Sequence, residues 1–245
     1  MPLERDWTWH DGATLAARPS DWVEPRKTMG TRLIGLMFGS VALHIGLAVA
    51  GWGGWHHLTD HPARGMACAI TVLLALAATC TRVNLDTGAR EDAGNRWVFA
   101  PSIAIWLALA FFPAFADRRE IGTFPGETVR YVGLFILALG GALRLAPMFV
   151  LGHRFSGLVA IQRDHSLVTD GLYRRLRHPS YLGAILGLVG WTLVFRSAIG
   201  LVACGPFTLL MLARIEAEEA MLASEFGDEY RSYQQRSWRL LPFIY

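Results

Sequence analysis

Residues 171–183 read GLYRRLRHPSYLG, and from Tyr181 the chain runs on as YLGAILGLVGWTLVF to Phe195. Arg174, Arg175, Arg177, a histidine and a proline thus stand directly before an unbroken apolar run. A soluble domain would not expose such a run, and a plain membrane anchor needs no such preface. The two halves together imply a helix that enters a membrane from a polar loop with a task of its own. Pro179 suits the first turn of that helix, where a missing N–H loses no partner. Asp170-Gly171 is a turn dipeptide on the other side of the loop. The N–H groups left bare at the helix start carry partial positive charge and can hold an anion.

Working outward, the whole 245-residue chain has the same character. It is 53% hydrophobic and 18% charged, with a mean hydropathy of +0.32, the profile of a polytopic membrane protein. A spanning helix needs about 20 largely apolar residues. Leu33–Trp52, Met66–Thr81, Trp97–Ala116 and Tyr131–Leu151 qualify, and the shorter Tyr181–Phe195 and Ala198–Ala213 form a tight hairpin. The expected fold is all-α: a membrane helical bundle of about five to six transmembrane helices, with a C-terminal helical hairpin and a cytosolic amphipathic helix. Three regions follow: a cytosolic arm over 1–32, anchoring helices over 33–130, and a region over 131–245 in which polar residues gather. The arm is no cleavable signal, because its apolar run starts too late and runs too long. Its Trp7, Trp9 and Trp22 suit either the headgroup level or a small cytosolic cap.

Orientation follows from the basic residues. With six passes and the N-terminus inside, inner segments hold 17 of the 23 lysines and arginines. Outer loops hold five (Arg64, Arg118, Arg119, Arg130 and Arg196), while Arg144 lies within a span. The positive-inside rule then places both termini, and the stretch quoted above, in the cytoplasm. With 22 arginines against the single Lys27, the composition points to a GC-rich bacterial source and hence to the inner cell membrane. A net charge of +3, spread over membrane-facing loops, makes no case for nucleic-acid binding.

Candidate chemistry lies in the second half. Arg144 is a cation deep in an apolar helix, where it either faces a ligand or snorkels to the interface. His165 and His178 flank the basic loop. Arg174, Arg175 and Arg177 read as a surface cluster facing anionic lipid. In RIEAEEAMLASEFGDEYRSYQQR (214–236), Leu222, Phe226, Tyr230 and Tyr233 recur at helical steps, which makes an amphipathic helix, with a break at Gly227-Asp228 and Asp228 capping a last short helix. Glu218 and Glu219 come as that segment leaves the membrane. Cys68, Cys80 and Cys204 sit singly in apolar runs and read as buried hydrophobes. His56, His57, Asp60 and His61 crowd one short loop, but their spacing fits no standard site and no metal is expected. No Rossmann, P-loop or HExxH pattern is present, so a nucleotide-like cofactor would bind outside a Rossmann domain.

ALRLAPMFVLGHRF (142–155), HSLVTDGLYRRLRHPSYLG (165–183), RIEAEEAMLASEFGDEYRSYQQR and LPFIY (241–245) together resemble the isoprenylcysteine carboxyl methyltransferases and their bacterial relatives. The resemblance covers roughly residues 140–245, while the first 130 residues match only as generic spans. It implies an integral-membrane methyltransferase dependent on S-adenosyl-L-methionine that esterifies the carboxylate of an isoprenylcysteine-like substrate. The substrate would be a lipophilic or lipid-like molecule entering from the bilayer, among membrane lipids, with no protein partner and no nucleic acid. Carried over by position, Gln162, His165, Leu167, Val168, Gly171, Tyr173, His178, Pro179, Tyr181 and Glu219 would line the cofactor pocket. Arg214 and Glu218 would sit where cofactor and substrate meet, with Arg214 or Arg144 holding the carboxylate. A carboxylate is ionised at neutral pH, so its esterification needs alignment and exclusion of water rather than a general base.

Two other readings compete. RHPxY also occurs in NADPH-dependent membrane sterol reductases, against which the RxExEExxL…FGxxYxxY tail weighs. A non-catalytic lipid-binding scaffold would use the same arginines for anionic lipid. The charge count itself is testable. With Thr8→Cys, Arg90→Cys or Asp170→Cys, an impermeant thiol reagent should leave the new thiol unmodified in intact cells, and with Gly122→Cys it should label it. Labelling at 170 from outside would put the basic loop in the wrong compartment.

Overall fold

The computed structural model describes residues 30–81, 90–91, 93–151, 160–161 and 167–244. Residues 1–29 of the N-terminal arm, His153, Gln162 and His165 lie outside the described residues. The apolar runs are helical, as lipid requires, because a helix satisfies its backbone N–H and C=O groups within one segment. In chain order they are α1 (Thr31–Trp52), α2 (Trp55–Thr59), α3 (Pro62–Thr79), α4 (Phe99–Arg119), α5 (Thr128–Leu151), α6 (Pro179–Val194) and α7 (Ala198–Gln235). A 3-10 turn over Ala93–Val98 leads into α4, another over Gly171–Arg174 precedes α6, and Arg90–Glu91 pairs antiparallel with Ala160–Ile161. Five helices (α1, α3, α4 with its leading turn, α5 and α7) are long and apolar enough to cross a membrane, whereas α6 has 16 residues.

The most intimate contact is between α5 and α6. Gly133 and Gly140 on α5 meet Gly190 and Gly183 on α6, each pair seven residues apart and so about two turns along one face. A Cβ on Gly133 would lie 2.5 Å from Val194 N, one on Gly183 would lie 2.6 Å from Gly140 O, and one on Gly190 would lie 2.7 Å from Gly133 O. Backbones therefore touch along the seam. Helices in lipid gain little from hiding apolar surface from one another, so small residues that permit this contact supply the association. The neighbouring contact of α1, α4 and α6 is aromatic, with the buried His44 ring 4.6 Å from Trp106 and 4.4 Å from Trp191.

At the end where α6 turns into α7, one carboxylate ties together α3, α4, α5 and the turn itself. Asp117, wholly buried at the end of α4, accepts from Arg130 Nη1 and Nη2, the latter at 3.1 Å, and from Arg196 Nε at 3.0 Å. Arg64 stands 3.7 Å from the same carboxylate, with its guanidinium 3.7 Å over the Trp52 ring. Glu127 adds a bond of 2.6 Å from Arg130 Nε and one of 2.8 Å to His61 Nε2. These arginines count as outer-loop charges in the sequence reading. Arg64 and Arg130 are instead buried, and Arg196 is largely so, because each has a carboxylate within reach. His61 also caps α3, its Nδ1 accepting from Ala63 N at 3.2 Å.

The last helix departs from expectation. A short span ending at Ala213 and a separate amphipathic helix are expected; α7 (38 residues) instead runs from its Ser197 cap straight past Ala213 to Phe226 before it is interrupted. Between Ala213 and Gly227 the chain is made of good helix formers without Gly or Pro, so nothing stops the helix at the membrane surface. The break falls at Gly227, whose φ of 53° and ψ of −123° are non-helical. Asp228 Oδ1 accepts a bond of 3.0 Å from Arg231 Nη1. Cys68 and Cys204 are buried, as expected of small hydrophobes, but Cys80 is exposed at the end of α3.

The seam yields a paired prediction. Gly140→Val should lower thermal stability in detergent by about 1–3 kcal/mol or more, as overpacking does where backbone is the obstacle. Gly187→Ala, on the facing helix α6 but with nothing within 4 Å of its added Cβ, should be neutral or slightly stabilising. Thermal unfolding and elution profiles of the two variants make the comparison.

Candidate functional site

The polar loop before α6 is held by the C-terminal segment. Arg177 N donates to Trp238 O at 2.8 Å, His178 N to Arg239 O at 3.1 Å, and Trp238 N to Arg175 O at 2.9 Å, so residues 175–178 and 238–239 run side by side. Leu176 and Trp238 pair in parallel register. Tyr233, near the end of α7, donates its hydroxyl to Tyr173 O at 2.6 Å. Backbone pairing is what lets a segment rich in charge keep one shape beside an apolar bundle.

Glu219 is the centre of this arrangement. Its Oε1 accepts from Arg177 Nε at 2.7 Å and lies 3.2 Å from His178 Nε2. Its Oε2 accepts from Arg239 Nε at 2.8 Å and from Gln234 Nε2 at 3.4 Å. Arg177 Nη1 also donates to Gln234 O at 3.1 Å and to Ser237 O. Glu219 lies on the charged extension of α7, past its apolar part. Burial alone would push its carboxyl up, but the bonds from His178 and Arg177 outweigh burial and hold it at about 2. The group is therefore ionised throughout the working pH range.

One turn nearer the membrane lies a second group. Arg214 ends the apolar part of α7, is buried, and has its guanidinium 4.5 Å over the Phe99 ring and 5.9 Å over that of Tyr181. Tyr181 OH donates to Glu218 Oε2 at 2.8 Å. Arg144, from α5, reaches across the seam to Ser180 Oγ at 2.6 Å. It is thus directed to the start of α6. Asn95, in the turn before α4, is buried and donates to Ala213 O at 3.4 Å, which holds that turn against the exit of α7.

Most of the residues singled out in the sequence are thus neighbours. Leu167 and Val168 are half-buried, and Gly171 opens the 3-10 turn with a φ of +59°, which the absence of a Cβ permits. Tyr173 is half-buried in that turn; His178 and Pro179 are buried at the cap and first position of α6. Tyr181, Glu218, Glu219, Arg214 and Arg144 complete the set, and Gln162 and His165 fall outside the described residues. The reading of the arginine cluster needs one correction. Arg174 and Arg175 are exposed, but Arg177 turns inward because Glu219 is there to receive it. Sequence reasoning missed Arg177, Arg239, Gln234, Ser180 and Phe99 as parts of the site. Arg177, directly before His178, and Arg239, before the apolar tail, carried a weak signal; Phe99, inside an apolar run, carried none. Among the described residues no group of three or more His, Cys, Asp and Glu stands together as a metal site.

Residues 131–224 match the model of the isoprenylcysteine carboxyl methyltransferase (ICMT) family. A "Probable protein-S-isoprenylcysteine O-methyltransferase" of Oryza sativa subsp. japonica is 35% identical over 156 residues, 61% of this chain and 78% of the relative. The protein-S-isoprenylcysteine O-methyltransferase of Schizosaccharomyces pombe is 38% identical over 144 residues, 54% of this chain and 60% of that one. A solved structure of the eukaryotic intramembrane Ras methyltransferase ICMT aligns with a TM-score of 0.51 at 23% identity, over 85% of this chain and 76% of its own, which is a likeness of fold.

Glu219→Gln should loosen the C-terminal segment. Removing one partner of a buried ion cluster costs about 3–5 kcal/mol. The sign with pH follows from the carboxyl lying at about 2 when folded against its ordinary 4.5. Its contribution is fully present above about 4.5 and is lost as pH falls toward 2. The stability gap between wild type and variant should therefore be constant from neutral pH down to about 5 and shrink below it. Hydrogen exchange at 237–240, with melting curves across that range, reads both effects.

Proposed function

The chain belongs to the isoprenylcysteine carboxyl methyltransferase family, and from that premise we propose how this integral-membrane carboxyl methyltransferase works. The methyl donor is S-adenosyl-L-methionine, and the acceptor is the carboxylate of a lipophilic, isoprenylcysteine-like molecule that enters sideways from the bilayer. The observation that carries the reading is the position of Arg214. It sits where α7 leaves the apolar bundle, within one ring of the Tyr181–Glu218 pair and one helix start from Arg144.

The donor set fits the cofactor's chemistry. Leu167, Val168 and Tyr173 offer an apolar and aromatic wall, and the start of α6 offers bare N–H groups to a carboxylate. Glu218 offers an anion to a cationic centre. Gly171 leaves open space where a Cβ would stand. When bound, the cofactor supplies a methyl group activated by a positively charged sulfur. With Gln162 and His165 these residues make up the proposed pocket, and residues 131–245 carry the activity.

The protein's own work is positioning. Arg214 presents a planar fork of donors that takes a carboxylate in two parallel bonds, which fixes the direction of its oxygens. Arg144, bonded to Ser180, adds a second cation that keeps the acceptor ionised in a low-dielectric place. Tyr181 holds Glu218 in one orientation, and the seam of α5 on α6 keeps Arg144 and Ser180 in register. Glu219, with its lone pairs occupied by Arg177, His178, Arg239 and Gln234, acts through the loop it holds. The proposed orientation sets the pocket on the cytoplasmic side, facing a soluble cofactor, in the inner membrane of a bacterial cell.

S-Adenosylhomocysteine should raise the melting temperature of the purified protein, and NADPH should not. Arg214→Lys should cut turnover of an S-farnesylcysteine analogue about tenfold, since a point charge replaces a fork, while binding of S-adenosylhomocysteine stays near normal. Calorimetry beside methyl-transfer rates separates the two effects. Stabilisation by NADPH alone would turn the reading toward a membrane reductase.

A further inference from the structure

The end of the bundle remote from the candidate site has a cavity of its own. It lies between α4 and α7, has a volume of about 280 Å³, and is walled by Ala108, Phe112 and Phe115 on one side and Ile199, Gly200 and Ala203 on the other. Ser197 is the one hydroxyl side chain in its wall. The size is near the low end for small-molecule pockets, about 300–1,000 Å³, and suits one hydrocarbon chain rather than a headgroup. On α4 it extends from Ala108 to Ala116, about 12 Å along the helix axis at 1.5 Å per residue. The lip is open to the bilayer: Phe112 is 59% and Ile199 55% exposed.

Charge stands at the mouth. Arg119, the last residue of α4 and exposed, holds its guanidinium 5.7 Å over the ring of Phe115, which is itself part of the wall. Exposed Arg118 precedes it but turns its guanidinium toward Gly53 at the end of α1; exposed Glu120 follows, and Glu127, also exposed, is taken up by Arg130 and Arg196. Asp117 is wholly inside and taken up by Arg130 and Arg196, so it does not neutralise the rim. Arg119, seated on Phe115, thus stands directly over one end of the apolar slot.

We propose that this cleft binds one phospholipid with an anionic headgroup, its phosphate on Arg119 and one acyl chain between α4 and α7. The combination selects the occupant. The hydrocarbon wall takes a chain, the exposed arginine at the polar end takes a phosphate, and the open lip lets a molecule enter from the surrounding lipid. A free anion would leave the slot empty, and a neutral lipid would leave the arginine without its counterion. The site is at the opposite end of α6 from Arg144 and Arg214 and is independent of the methyl-transfer reading.

The test uses the full chain in nanodiscs of phosphatidylcholine with and without phosphatidylglycerol, followed by native mass spectrometry of the released protein. Wild type should retain one phosphatidylglycerol per chain in preference to phosphatidylcholine. Arg119→Gln should lower that preference about fivefold, the effect of one arginine near an anionic surface. Ala108→Phe, and Ala203→Leu from the facing wall, should fill the slot and abolish retention of either lipid. Unchanged elution and helical content of the variants would show that they fold. Equal retention of both lipids by wild type, a preference that survives Arg119→Gln, or retention that survives both fillings would each overturn the proposal. So would a second chain held on this face and lost on filling it.

Discussion

Direct backbone contact between α5 and α6 is the constraint on which the rest of the molecule depends. α6 has 16 residues and lies between a loop that must keep its shape and a three-residue turn into α7. Held at the distance that glycine allows, it has no freedom to slide, and the groups at its two ends inherit that precision. At one end Arg144 crosses from α5 to Ser180; at the other Arg130 crosses from α5 to Val194 O at 2.8 Å. A wider helix spacing would break both contacts at once. In lipid, where association gains little from hiding apolar surface, close approach and a few polar crossings are the available means of specifying one packing.

The two ends use the same device. Each has a buried carboxylate that receives guanidinium groups from distant parts of the chain: Asp117 from Arg130 and Arg196, Glu219 from Arg177 and Arg239. Such clusters cost desolvation and add little net stability compared with an apolar core, but they are intolerant of a missing member. Their effect is to select one arrangement of loops among many with similar apolar packing. Around Glu219 that selection fixes the backbone of residues 175–178 and 238–239, which frame the candidate pocket.

Much of this was legible in the sequence. The spans show as apolar runs because a membrane demands length and hydropathy, and the structure moves their ends by a few residues. Arg144 stands out as a cation in a hydrophobic helix, though its partner Ser180, 36 positions later, does not. The glycine seam is invisible for a different reason. Its spacing of seven acquires meaning only once it is known which helices are paired and in which direction. The Asp117 cluster joins residues from three connections, each of which reads as an ordinary loop charge. Arg177 was read with its exposed neighbours because adjacency in the chain says nothing of which way a side chain turns. The continuation of α7 past Arg214 could have been read from the absence of any breaker before Gly227; the change from apolar to charged residues masked it.

The Asp117 cluster also bears on how the chain enters the membrane during synthesis. Arg64 is made before its carboxylate partner exists, and Asp117 is made before Arg130 and Arg196. Until α4 is in place, Arg64 lacks the carboxylate of Asp117. Transient exposure of such a charge at the lipid boundary is unfavourable by a few kcal/mol, so α3 and α4 are better integrated together than one by one. Topogenesis is affected too. Of the basic residues at this end, Arg64, Arg130 and Arg196 share the two carboxylates of Asp117 and Glu127, while Arg118 and Arg119 are exposed. The free charge that this end presents is accordingly smaller than a count of its arginines implies.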